Sequence, residues 1–161
     1  MTDTANGKTV FVAGGSKGIG RAVVNALAED GYDVSFSYRS SPEEAEQLQG
    51  SLQAKYPSQQ IESHQVDLSE RAQVESFADT IATAEGLYGL VYNAGGSYDT
   101  LAALADQDKG EDLFRLNFWA LTRLAGAAAR PMMRTRSGRI ITIGSITANM
   151  GVSGNSIYAA T

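Results

Sequence analysis

Ala13-Gly14-Gly15-Ser16-Lys17-Gly18-Ile19-Gly20-Arg21 is the stretch on which the fold turns. It follows the short apolar run Thr9-Val10-Phe11-Val12-Ala13, and it leads into Ile19, Val23, Ala26 and Leu27, which recur at helical spacing until Gly31. A brief β-branched run ending in glycines predicts a buried strand, and the spacing after it predicts a helix. Glycines at such a junction let the backbone turn tightly and let a pyrophosphate approach the main chain, while the helix start offers free N–H groups and a positive dipole end. The spacing is G-x-x-x-G-x-G, not the G-x-G-x-x-G of the commoner dinucleotide fingerprint. Its weight comes from its place at a first strand-to-helix junction.

Outward from this junction the pattern repeats. Val34 to Tyr38 predicts a second strand. Ser41-Pro42-Glu43-Glu44 predicts a helix opened by an N-cap serine, a proline at the first position and acids in the first turn, running to about Lys55 before Pro57. Ile61 to Val66 predicts a third strand, and a helix starting at Leu68-Ser69-Glu70 carries Val74, Phe77, Ala78 and Ile81 on one face. Leu90 to Tyr92 predicts a fourth strand. A long helix over 108–130 has Leu113, Leu116, Asn117, Leu121 and Leu124 in register, and Arg139 to Ile143 predicts a fifth strand. Nearly continuous apolar strands alternating with helices imply a parallel sheet buried on both faces. With right-handed crossovers, the economical fold is α/β: a Rossmann-like, doubly wound parallel sheet with helices on both faces. Residues 1–161 form one domain of it, with no repeat or linker.

Composition narrows the function. The chain has 161 residues, 43% hydrophobic and 19% charged, enough apolar content for one core. Thirteen basic against eighteen acidic residues give a net charge of −5, which argues against a nucleic-acid partner. Arg130, Arg134, Arg136 and Arg139 are expected to be a solvated group, not a phosphate track. No apolar run approaches the ~18 residues of a membrane span, so no membrane partner is expected. The start, Met1 to Lys8, is polar and unlike a secretory signal, so a cytoplasmic location is expected. With no cysteine and one histidine, His64, no metal site is expected. Glycine, at 17 residues, is above the usual ~7% and clusters at strand ends.

Ligands of such sheets bind at the carboxyl ends of strands. After the second strand, Ser37-Tyr38-Arg39-Ser40 carries no acid where an NAD-type site places one for the ribose 2′-hydroxyl. Arg39 pairs readily with a 2′-phosphate, and Lys17 adds a second charge, so the pair favours NADP(H); an ordinary surface arginine is the competing reading. Asp67 is either an acceptor for an adenine amino group, the N-cap of the next helix, or both. Asn93-Ala94-Gly95-Gly96 lets a ligand lie against the fourth strand end, with Asn93 bracing its neighbours; a purely structural turn is the alternative. Ser145, after the fifth strand, and Tyr158, thirteen residues on, suit polarisation and protonation of a carbonyl. A tyrosine titrates near 10 and needs a nearby positive charge to act at neutral pH. Asn117, polar among leucines, needs a partner and on its own reads as a satisfied core asparagine.

Taken in order, the glycine loop Gly14 to Gly20, Asp67-Leu68, Asn93-Ala94-Gly95, Asn117, Ser145 and Tyr158 resemble the short-chain dehydrogenase/reductase family over essentially the whole chain. Gly18-Ile19-Gly20-Arg21, Tyr38-Arg39-Ser40 and the strings at Ser145 and Tyr158 are most similar to 3-oxoacyl-(acyl carrier protein) reductases. The resemblance implies an NADPH-dependent oxidoreductase that reduces a ketone, a 3-oxoacyl thioester among the candidates, to an alcohol. It implies Tyr158 as general acid, Ser145 as the carbonyl's hydrogen-bond donor and Asn117 as holder of a relay water. Gly14, Ser16, Lys17, Gly18, Ile19 and Gly20 would hold the phosphates, and Arg39 the 2′-phosphate. Asp67 and Leu68 would meet the adenine, and Asn93, Ala94 and Gly95 the adjoining ribose. It further implies a small-molecule or carrier-bound acyl substrate and a homodimer or homotetramer. Ala13 stands where the family often has threonine. The larger departure is from the family's Tyr-x-x-x-Lys pattern: Tyr158-Ala159-Ala160-Thr161 matches its first four positions, and the lysine position falls just beyond this sequence. The expectation is therefore that this is the first part of a longer chain, with the C-terminal part of the fold outside it.

Two rivals remain. Gly151-Val152-Ser153-Gly154-Asn155 nearly matches the G-x-S-x-G elbow of a serine hydrolase, but His64 precedes it, whereas hydrolases of that fold place histidine last. The other is a non-catalytic NADP-binding module or inactive fragment used for sensing or assembly: the stop before the lysine position favours it, while Ser145 and Tyr158, for which a sensor has no need, count against it.

Overall fold

A computed structural model describes residues 5 and 7–161. The polar start that argues against a secretory signal lies, at residues 1–4 and 6, outside the described residues. The strands are β1 (Thr9–Ala13), β2 (Asp33–Tyr38), β3 (Ile61–Gln65), β4 (Leu87–Tyr92) and β5 (Arg139–Thr142). They form one sheet in the order β3-β2-β1-β4-β5, and every pairing is parallel. The helices are α1 (Gly18–Glu29), α2 (Pro42–Lys55), α3 (Arg71–Thr83), α4 (Gln107–Phe114), α5 (Ala120–Thr135) and the short α6 (Ser156–Ala159).

β1 shows why both faces are covered. Val10 and Val12 join Val24, Ala28, Val34, Phe36, Leu48 and Leu52 in a core beneath α1 and α2. Phe11 and Ala13, pointing the other way, join Phe77, Ile81, Leu90, Leu124 and Ala128 beneath α3 and α5. Strand alternation thus feeds two cores from four of the five residues of β1, and the doubly wound sheet follows.

Several local expectations need correction. In α1 the buried positions are Gly20, Val24 and Ala28; Ile19 is 65% exposed and Ala26 is exposed. Val23 and Leu27 do pack half-buried against the core as expected, while the fully buried positions fall one residue on, at Gly20, Val24 and Ala28. β4 begins at Leu87, not Leu90. Gly89 hides the strand's start, and it is required there: a Cβ would come within 2.9 Å of the Val10 side chain. β3 ends at Gln65 and β5 at Thr142, each one residue early. Ser41 occupies the N-cap of α2, but its hydroxyl makes no capping bond.

The helix expected from Leu68 begins at Arg71, with Glu70 at its N-cap, so Asp67 is not the cap. Instead Asp67 Oδ1 accepts from the Ser69 N–H (2.9 Å) and hydroxyl (2.6 Å), closing a local turn one step earlier. The long helix over 108–130 is in fact α4, a π-helical turn at Arg115–Trp119, and α5. It continues to Thr135 through Pro131, whose fixed φ suits a helix and whose missing N–H costs one bond. Arg136, in left-handed conformation at φ 53°, ends it. The arginines at 130, 134, 136 and 139 are all exposed, as expected of a solvated group. Among the described residues, no helix is long and apolar enough to cross a membrane.

Candidate functional site

Strand order reverses direction between β1 and β4, and a groove of about 480 Å³ opens at the carboxyl ends of β1, β2 and β4. This is the switch point where open α/β sheets bind ligands. The groove brings together Gly14, Ser16, Lys17, Gly18, Ile19, Arg39, Leu68, Asn93, Ala94 and Gly95, with Tyr38, Ser40, Ser41, Val66, Gly96 and Leu116 completing its walls. Gly20 lies behind the lining, and Asp67 sits between the lining residues Val66 and Leu68 without lining the groove itself.

The glycine loop is fixed from below by β2. Ser37, 1% exposed, accepts from the Gly14 N–H through its hydroxyl (3.1 Å), and its carbonyl accepts from the Gly15 N–H (2.9 Å). From β4, Asn93 Nδ2 donates to the Gly14 carbonyl (3.0 Å), the brace expected of it. Gly14 takes φ +74°, and a Cβ on it would lie 3.0 Å from the Ala94 backbone. A Cβ on Gly20 would lie 2.0 Å from the Gly14 carbonyl oxygen, so the first turn of α1 can lie against the loop only without a side chain there. The N–H groups of Gly18, Ile19 and Gly20 have no acceptor within the described chain, as for any helix start. Lys17 stands at the N-cap of α1 with no side-chain capping bond. Ser16, 7% exposed, lines the groove.

This donor set fits a phosphate-bearing ligand: three free N–H groups, a hydroxyl, a helix dipole and two cations, with a side-chain-free surface where the ligand would touch. Arg39 and Lys17 are both exposed at its β2 side. Burial raises the pKa of Asp67, but bonds from the Ser69 hydroxyl and N–H, with Arg39 nearby, together outweigh burial and hold the carboxyl below its usual range.

The second cluster lies past β4 and β5. Ser145 caps the short turn Ile146–Ala148, and α6, carrying Tyr158, packs against that turn. Ser145 Oγ accepts from both the Thr147 N–H (3.2 Å) and the Thr147 hydroxyl (2.8 Å). A hydroxyl has two acceptor sites and one donor, so its O–H remains free to donate. Asn117 sits in the π turn. Its Oδ1 accepts from the Gly96 N–H (3.0 Å), and its Nδ2 donates to the Gly96 carbonyl (3.1 Å) and to Thr161 Oγ1 (2.8 Å). Thr161 Oγ1 in turn donates to the Tyr158 carbonyl (2.9 Å), so Asn117 ties the end of β4 to the segment holding Tyr158.

Sequence reading missed Ser37, the loop's support. Its signal was available: a serine near the end of the strand that neighbours the one leading into the glycine loop. It also missed Glu44, whose carboxylate meets Lys17 only in space.

Comparison with known proteins points to the same fold. The chain is 34% identical over 155 residues to the 3-oxoacyl-(acyl-carrier-protein) reductase FabG of Salmonella typhimurium, covering 96% of this chain and 61% of that protein. It is similar in structure to a short-chain dehydrogenase from Sphingobium yanoikuyae in complex with NADPH, with TM-score 0.89 and 29% identity over 95% of this chain and 59% of the other. A short chain dehydrogenase from Burkholderia cenocepacia in complex with NADP matches at TM-score 0.84 and 32% identity, over 98% and 64% of the two chains. The chain thus spans about 61% of the length of the curated relative. The family model for short chain dehydrogenases matches residues 8–161, and the chain belongs to that family.

Proposed function

We propose that the protein is an NADPH-dependent reductase of ketone carbonyls, with 3-oxoacyl thioesters, small or carrier-bound, as the leading substrate class. The observation that carries the cofactor choice is the β2 end, where Arg39 and Lys17 line the groove and the segment Ser37–Ser40 carries no acid. A carboxylate there would repel a 2′-phosphate, whereas an arginine pairs with it. The NADPH and NADP complexes of two similar structures, and the name of the FabG relative, support the same reading.

Gly14, Ser16, Gly18, Ile19 and Gly20 would hold the pyrophosphate, Arg39 and Lys17 the 2′-phosphate, Leu68 and Asp67 the adenine, and Asn93, Ala94 and Gly95 the second ribose. When bound, the nicotinamide supplies a hydride to the carbonyl carbon. Ser145 donates its uncommitted O–H to the carbonyl oxygen, which strengthens as negative charge develops there. Tyr158 delivers the proton to that oxygen. Asn117, through Gly96 and Thr161, keeps the strand end and the Tyr158 segment in register, and the remaining acceptor site on its Oδ1 is available to a relay water. The protein is expected to work as a homodimer or homotetramer.

The test is NADPH binding and ketone-dependent NADPH oxidation by the full-length protein across β-keto thioesters and simple ketones. Tight NADPH binding, weaker NADH binding and turnover of at least one ketone are expected. Binding without oxidation of any of them would favour a non-catalytic module. Arg39→Asp is expected to lower the NADPH-over-NADH preference by at least about tenfold; an unchanged ratio would remove the argument from β2.

A further inference from the structure

One cation at the β2 side of the groove faces a carboxylate of the chain itself. Lys17 Nζ lies 3.2 Å from Glu44 Oε2, joining the glycine loop to the first turn of α2 beside the lining residues Ser40 and Ser41. Arg39 is close enough to Asp67 to stabilise its charged form. Of the two cations that would read a 2′-phosphate, Lys17 is thus held in an ion pair, and that pair is open to exchange. Both side chains are about half exposed, at 58% and 47%, and neither makes another bond that fixes it. Such a pair holds together weakly and yields to a stronger partner.

Glu43 lies in the same helical turn as Glu44, so favourable interaction with the α2 dipole does not single out Glu44. What does is its position against the lysine. A ligand phosphate that engages Lys17 must displace Glu44 or share the lysine with it, and sharing brings like charges together. A ribose bearing only hydroxyls does not compete for the lysine at all.

We propose that Glu44 is a specificity-determining residue: by holding Lys17 as an intramolecular counter-ion, it tempers the preference of the groove for a 2′-phosphorylated dinucleotide over an unphosphorylated one. This rests on the dinucleotide reading above. Glu44 acts through Lys17 and does not itself need to touch the ligand. Its removal strengthens one nucleotide selectively, which loss of a merely structural helix acid does not do.

Calorimetric titration of the full-length protein with NADP⁺ and NAD⁺ tests it, in the wild type, Glu44→Gln, Lys17→Gln and the double variant. Glu44→Gln is expected to lower the NADP⁺ Kd about threefold to fivefold, with the NAD⁺ Kd changed by less than about twofold. That gain shrinks below about twofold in the Lys17→Gln background, and again in about 1 M salt, where exposed charges are screened. Thermal melts confirm that each variant is folded. An unchanged NADP⁺/NAD⁺ ratio in Glu44→Gln, in a protein whose ratio does respond to Arg39→Asp, overturns this inference and leaves the dinucleotide reading standing. An equal shift for both nucleotides, or a full gain that persists without Lys17, also overturns it. A folded wild type that binds neither nucleotide overturns the dinucleotide reading and this inference together.

Discussion

His64 packs its ring against Phe77 (centroids 5.3 Å apart), and its Nε2 lies 2.8 Å from Ser35 Oγ. Burial lowers its pKa, and the Glu62 carboxylate at 3.7 Å offsets this only in part. The unfolded chain therefore binds the proton more readily than the folded one, and stability falls as pH drops through the ordinary imidazole range. As the only histidine, it is the one side chain with an ordinary pKa in that window. Urea midpoints are expected to fall between about pH 7.5 and about pH 5.5, and His64→Gln should flatten that slope. An equally steep slope in the variant would assign the loss to another group. At this scale position along the pattern carried much of the groove's lining: Gly14, Gly18, Arg39 and Asn93 stand at the strand ends where the alternation put them. What it could not carry were bonds decided by a turn's local path. Asp67 has the chemistry of a helix cap, yet the chain enters α3 three residues later and spends that carboxylate on Ser69.

The element with the largest departure is the long helix. Its apolar spacing reads as one continuous α-helix because a π turn adds only one residue to a turn and leaves the leucine pattern nearly intact. The extra residue does matter for the site: Asn117 lies within the π turn and reaches Gly96. The turn is supported from the sheet, where the buried Tyr92 hydroxyl donates to the Leu116 carbonyl. Burial pushes the Tyr92 pKa upward, so the phenol stays neutral and remains a donor. Tyr92→Phe should cost about 1–2 kcal/mol by removing that buried bond. The check is a lower urea midpoint at unchanged m-value, and a loss near zero would mean that water replaces the hydroxyl. β1 and β2 were legible from apolar content alone, whereas the start of β4 was not, since a glycine needed for packing on Val10 mimics a loop.

For the whole molecule, the two cores are joined through the sheet, so damage on one face should be felt by the entire fold. Leu124, fully buried between α5 and the sheet, is the place to ask. Leu124→Ala is expected to lower global stability by about 2–5 kcal/mol. Met133→Ala, at a side chain 76% exposed on the same helix, should stay within about 0.5 kcal/mol. Comparable losses for the two in thermal or urea unfolding would contradict the burial pattern. Topology was readable in advance because parallel strands buried on both faces allow few arrangements; contacts between distant segments, such as Lys17 with Glu44, have no periodicity to betray them. One further consequence follows from β2. Ser37 carries the scaffold's grip on the glycine loop, while Arg39, two residues on, projects from the exposed end. Support and recognition are thus separable along one short strand. A designer can rewrite the cofactor choice at the tip, but a graft that replaces the whole β2 end removes the loop's foundation along with it.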